Sequence, residues 1–344
     1  MTVQNSKGKI SAFQFFSLVF VSRAVVSLTY IQAVTVGDFS TEILISYVFS
    51  FLLSVLFSLP AVFCIKKGIS IRKNKFASLF YTIYCLYICS LTVSRFCNFI
   101  VSKMNSHVPV FVILFIVLLS AGYGAYLGIE SLSRFGFFCA VSLCLVTVVV
   151  IGLNIKNFDI FNLYPVYANT KSDMVKSTLI FCSNTTQSVL LLLLSDKVNT
   201  NPVKPYFFGI GLSYFIMFLF LLFCCGVLGS NANLQSFPIY SLFCLASVDD
   251  MSRLDILHTS FWTFAVYLKC AVLLYCCTDN YAKNRKPKAV FFFTALSLII
   301  AVVINYFVGT HMVYVSKIAG FVSFVVFVMV IPLIFVIKRK MIKE

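Results

Sequence analysis

The feature that most constrains this chain is a succession of apolar runs, each about 20 residues or longer, set between short polar loops. A helix of that length crosses a hydrocarbon core of about 30 Å. Ten segments qualify, at roughly 11–31, 41–64, 76–100, 108–128, 135–155, 175–195, 206–229, 254–278, 289–308 and 313–337. Barrel strands would be about half as long and would alternate polar with apolar residues; these runs do not. Composition agrees: 60% of the 344 residues are hydrophobic and 11% charged, too little charge to cover a soluble domain of this size. The expected fold is an all-α integral membrane protein, a single ten-helix domain over residues 1–344, with the lipid bilayer as its solvent. Lys7 and Lys9 precede an apolar run that continues to about Tyr30 without a small-residue cleavage site, so the first segment reads as a retained helix.

The net charge of +16 belongs to this membrane reading. Lys and Arg gather in short loops, at Lys66–Lys75, Lys283–Lys288 and Lys338–Lys343, and no basic face on a soluble module exists that could hold nucleic acid. With the N-terminus cytoplasmic, 18 basic residues fall in inside loops and tails and four outside, at Lys103, Lys156, Lys171 and Lys176; the other five lie in or at the ends of helices. The asymmetry predicts an even number of crossings with both termini cytoplasmic.

Many transporters are two inverted halves whose equivalent helices break near the membrane midplane, where freed backbone groups bind substrate. Ten helices make the first and sixth equivalent in a five-plus-five repeat. The first carries Ser22, Arg23 and Ser27; the sixth carries Ser183, Asn184, Thr185, Thr186 and Gln187 between apolar flanks. Five consecutive polar residues in lipid leave donors and acceptors unpaired unless they face a cavity, although hydrogen bonding between helices is the plainer use of such groups. The expected ligand pocket combines Val25, Val26 and Ser27 with Asn184, Thr185 and Thr186, with Tyr84 and Tyr87 of the third helix and with Thr259 and Thr263 of the eighth.

Lys269 stands about 20 Å along the eighth helix from Asp255, too deep for easy snorkelling. An ionisable group at that depth is a functional candidate by default; the plainer reading pairs it with a carbonyl for stability alone. Arg23 is the other cation at such depth. Gly124 and Gly128 read as a close helix contact, Glu130 and Arg134 as a salt bridge at a helix end, and Arg253 with Asp255 as a cap on the eighth helix or a tie to the outer loop. The thirteen cysteines lie mostly in apolar runs without a CxxC, and His107, His258 and His311 are far apart, so neither a disulfide framework nor a metal or cofactor site is expected. There is no phosphate-binding loop, GxSxG or HExxH, and no enzyme is expected.

Pro238, Arg253-Leu254-Asp255, Trp262, Lys269 and the Leu273-Leu274-Tyr275 run resemble, in this order, the eighth helix of the B subunits of spore germinant receptors. That GerAB-type permease family is a branch of the amino acid–polyamine–organocation transporter superfamily. Lys9-Ile10-Ser11 followed by Gln14, Pro109, Gly128-Ile129-Glu130 followed by Arg134, and Asn162-Leu163-Tyr164-Pro165 are similar to its other signatures in the same order. The resemblance implies a LeuT-like fold and a small nutrient, such as an amino acid, bound between helices one, three, six and eight. It also implies partner A and C subunits and the inner membrane of the dormant spore. In this superfamily helices one and eight often flank a cation site, so Lys269 is expected to act as a fixed internal cation against an unwound helix one. The alternative function is secondary transport of amino acids or related solutes. Two departures stand out: helix one has no glycine in Ser22–Ser27, and the usual glycine–glutamate region of helix six is the Asn-Thr-Thr-Gln run. Carboxylate capture by a glycine-rich break is therefore not carried over.

Overall fold

A computed structural model describes residues 8–29, 40–104, 107–166, 169–246, 255–281, 287–308 and 319–341, of which 26–29, 308 and 339–341 are described by their backbone alone. Arg253, the Lys283–Lys286 part of the basic loop and His311 lie outside the described residues. The elements are α1 (Ala12–Thr29), α2 (Glu42–Lys66), α3 (Lys75–Phe99, continued by a π-helical turn at Ile100–Met104), α4 (Val110–Leu127), α5 (Ile129–Asn154), α6 (Lys171–Ser183), α7 (Gln187–Leu194), α8 (Val203–Leu228), α9 (Pro238–Leu245), α10 (Asp255–Tyr281) and α11 (Pro287–Val308). The last, α12 (Ala319–Lys338), contains a π-helical stretch at Val325–Val330. Among the described residues nine spans are long and apolar enough to cross a membrane, with α6 and α7 together forming one of them. The first, apolar over Ala12–Val25, is shorter than those nine.

Burial sorts these helices into an inner and an outer set. The α3, α10 and α6–α7 spans are mostly buried, whereas α4, α11 and α12 are mostly unburied and expose large apolar side chains such as Phe111, Phe291 and Ile334. Apolar surface on that scale is stable only against acyl chains. At the centre, α10 packs on α3, α4, α1 and α5, and α1 packs on α8 as well; α2 joins α6 and α8. On α2 the buried stripe Ser46, Ser50, Ser54 and Ser58 recurs every fourth residue, small side chains that let neighbouring helices approach. Ser50, Ser54 and Ser58 return their hydroxyls to carbonyls three residues back.

Several of the recurring sequence signatures prove to be joints of this architecture. Ser11 and Gln14 form a reciprocal capping box at the start of α1, Ser11 N–H donating to Gln14 Oε1 at 2.9 Å and Gln14 N–H to Ser11 Oγ at 3.2 Å. Ile10, fully buried, pairs its backbone with the segment after α7: Ile10 N–H donates to Lys197 O, and Asn199 N–H to Ile10 O. Gly128 sits at φ +97° between α4 and α5, a left-handed conformation that glycine adopts without strain. The chain therefore reverses with no linker, and α5 begins at Ile129 rather than near 135. Glu130 does not form the expected salt bridge with Arg134; its Oε1 accepts the Gly8 N–H at 2.6 Å, tying the N-terminal segment to this corner. Gly124 packs directly beneath the Tyr267 hydroxyl of α10. At the opposite end, Asn162 donates to Gly226 O and Thr41 to Leu163 O, joining α8 and α2 to the segment before α6.

The end of the bundle that carries the α2–α3 loop is closed by charge. Asp279, near the end of α10, lies 2.5 Å from Arg72 and 3.4 Å from Lys197, and Arg72 also donates to the Asp279 carbonyl at 2.8 Å. One carboxylate thus ties α10 to the turn before α3 and to the segment after α7. The far end is closed by rings: Trp262 and His258 of α10 pack edge-on or tilted among Phe99, Tyr240 and Phe243.

Candidate ligand site at the break between α6 and α7

The sixth apolar segment breaks where its five polar residues stand. Helix α6 stops at Ser183, and α7 starts at Gln187, close to the middle of the Lys171–Lys197 span. Serine, threonine and asparagine compete with helical hydrogen bonding through their own side chains, and the run has no packing residue to offset that. Asn184 Nδ2 donates to Ile180 O at 2.9 Å, satisfying one carbonyl in the last turn of α6. Thr185 is buried, and its hydroxyl lies 2.8 Å from the Tyr214 hydroxyl of α8. Asn184 and Thr186 are half-buried.

Tyr214 connects the break to α1 and α2. The Arg23 guanidinium of α1 lies 4.4 Å from the centre of the Tyr214 ring, and Arg23 is only 2% exposed. A desolvated cation over an aromatic face gains on the order of 2 kcal/mol. Tyr47 of α2 stands 4.9 Å from Tyr214 and edge-on to Phe181 of α6 at 5.1 Å. Four helices thus converge on one cation and three rings. Ser22 Oγ on α1 and Gln187 Oε1 on α7 are also buried, with no hydrogen-bond partner among the described residues. The N-terminus of α7 adds the positive end of a helix dipole at the break. A guanidinium and a helix N-terminus are groups that pair with an anionic or strongly hydrogen-bonding group.

The other expected pocket residues make contacts of their own. Tyr84 stacks on Phe327 of α12 with ring centres 4.3 Å apart, and Tyr87 is half-buried on the same helix. Thr259 and Thr263 donate to the carbonyls of Asp255 and Thr259 in their own helix, at 3.1 and 2.7 Å. Val25 is buried, while the side chains of Val26 and Ser27 lie outside the described residues. Helix α1 stays helical through Thr29, so the unwinding expected at Val25–Ser27 is not there: its break-forming residues are one arginine and two serines, not a continuous polar run. The geometry therefore gathers Thr185 and Arg23, and adds Tyr47 and Tyr214, which sequence reasoning passed over. The serine stripe on α2 and the Ser213-Tyr214 pair inside an apolar span were the signals available.

Lys269 is 4% exposed on α10, a helix that packs on α1, α3, α4 and α5. The next residue, Cys270, points its thiol at the Cys89 carbonyl of α3, 3.8 Å away. Lys269 makes no hydrogen bond or ion pair with the described residues.

Comparison with known proteins decides the family. Residues 9–304 match the family described as "Spore germination protein". The chain belongs to the spore germination protein family. No curated protein matches the sequence. Among solved structures the chain is similar to a Na+-coupled sialic acid symporter in a substrate-bound, outward-open state, with a TM-score of 0.59 and 12% identity, covering 93% of this chain and 79% of the symporter. It is also similar to Mhp1, a nucleobase-cation-symport-1 family transporter in a closed conformation with bromovinylhydantoin bound; there the TM-score is 0.48 and identity 10%, covering 87% and 74%. The symporter's likeness establishes the LeuT-type transporter fold. This member of the spore germination family is an integral membrane protein with a permease-like architecture.

Proposed function

We propose that the chain is the membrane subunit of a nutrient germinant receptor in the spore inner membrane. A small nutrient binds at the α6–α7 break, and its binding is passed to partner A and C subunits that start germination. The observation that carries this reading is the buried Thr185–Tyr214–Arg23 chain at a mid-membrane helix break, in a chain of the spore germination family. A fixed guanidinium and a helix N-terminus favour a carboxylate-bearing solute such as an amino acid. The pocket role of Val25, Val26, Ser27, Tyr84, Tyr87, Asn184, Thr186, Thr259 and Thr263 belongs to the same proposal, as does that of Lys269 as an internal cation.

The symporter-like fold favours a second reading, transport of the solute by alternating access. Sensor and carrier can share every contact and differ in whether the site opens to both sides. Purified protein should bind radiolabelled amino acids in preference to sugars or nucleosides, and the Thr185→Val protein should bind them less. Proteoliposomes should show that binding without uptake. Uptake above that of empty vesicles would replace the receptor reading by the carrier, and equal binding by wild type and Thr185→Val would remove the site.

A further inference from the structure

A second groove lies between the start of α3, the end of α10 and α11, and none of its lining residues belongs to the α6–α7 break. It encloses about 600 Å³. Its mouth is polar: Arg72 and Lys75 stand there with Asn280, whose Nδ2 is buried with no hydrogen-bond partner among the described residues. Below the mouth the walls are apolar. Leu79, Ile83 and Leu86 follow one face of α3, opposite Phe292 and Leu296 of α11. Leu79, Ile83 and Phe292 are each more than half exposed, so the groove opens sideways toward the hydrocarbon.

We propose that this groove binds an anionic phospholipid, with the phosphate at Arg72, Lys75 and Asn280 and an acyl chain along α3. Three features agree. From Lys75 to Leu86 the helix rises about 16 Å, close to the hydrocarbon depth of one leaflet, half of about 30 Å. The charge is unbalanced: Asp279 is the one carboxylate in ion-pair contact with Arg72 and Lys197 among the described residues, and Lys75 stays exposed with no such partner. Finally, the unpartnered Asn280 amide needs an acceptor, and a phosphate or ester oxygen supplies one without bringing a further cation. A free phosphate would satisfy the mouth but leave the apolar walls unmatched, which is why the occupant is a lipid.

The test is lipid retention by the full-length protein, read by native mass spectrometry after exchange into phosphatidylglycerol or phosphatidylcholine with identical acyl chains. A basic residue near the membrane surface contributes about 1 kcal/mol toward anionic lipid, so one to two unneutralised cations give roughly a five- to thirtyfold preference for phosphatidylglycerol. Lys75→Gln should cut that preference severalfold. Ile83→Trp should obstruct the acyl path and lower retention of phosphatidylglycerol while keeping the charge. Lys67→Gln, an exposed cation outside the groove, should leave the preference unchanged. Equal retention of the two lipids by wild type, a Lys75→Gln protein that keeps the full preference, or glycerol phosphate displacing the lipid as well as an intact lipid does would each overturn the proposal.

Discussion

Thr185 and Tyr214 share a buried hydroxyl pair 2.8 Å apart, and that pair is the narrowest test of the ligand site. A neutral hydrogen bond is worth about 1 kcal/mol net, while a buried group left without its partner costs about 1–3 kcal/mol. Thr185→Val should therefore raise the nutrient concentration needed for half-maximal germination by roughly fivefold or more, at unchanged protein abundance by immunoblot. Thr147→Val, on α5, removes a hydroxyl that serves its own helix and lies outside the proposed pocket, and should shift that concentration little; reversed sensitivities would move the site to α5. Lys269 poses the opposite case. An ammonium near the centre of a membrane helix costs about 2.5–3.5 kcal/mol, so Lys269→Met should raise or preserve thermal stability. If Lys269 is the internal cation proposed above, the same substitution should abolish the nutrient response. A stable Lys269→Met protein with a normal response would leave the lysine a passive residue.

At the scale of elements, the short connections around Asp279 and Ile10 matter more than any single helix. Asp279 is 8% exposed and holds two cations from different segments, and the Ile10 backbone holds the same α7–α8 connection. Asp279→Asn keeps the shape and removes the charge. Charged hydrogen bonds contribute about 1.5–3 kcal/mol, so amide exchange at Lys197–Asn199 should quicken at least tenfold by hydrogen–deuterium exchange mass spectrometry. Unchanged protection there would show that the Ile10 pairing holds this connection without the ion pairs. The α6–α7 break was legible because a five-residue polar run cannot continue a helix in lipid without partners. The continuity of α1 was not, since isolated serines and an arginine are compatible with either a break or a helix whose neighbours receive them. Helix α9 was equally hidden: eight residues starting at Pro238 are too few to cross a membrane and look like any apolar loop.

For the whole molecule the central prediction is orientation. The loop charges predict that residues 66–75 and 283–288 lie in the cytoplasm together with both termini. A single cysteine at position 285, in a background stripped of native cysteines, should react with a membrane-impermeant maleimide only after permeabilisation; labelling of intact cells would reverse the topology. What the sequence by itself determined was the solvent, the approximate spans, the polar break and the family resemblance. All of these are written in local order, as run length, charge spacing and short motifs. The tertiary structure alone decided which side chains share a site. Thr185 meets Tyr214 rather than Tyr84 or Thr259, and Glu130 holds Gly8 rather than Arg134, because such partners come from helices far apart in sequence, and their meeting depends on how each helix is rotated about its axis. In an apolar span nearly every face can be buried, so periodicity leaves that rotation open and close packing sets it.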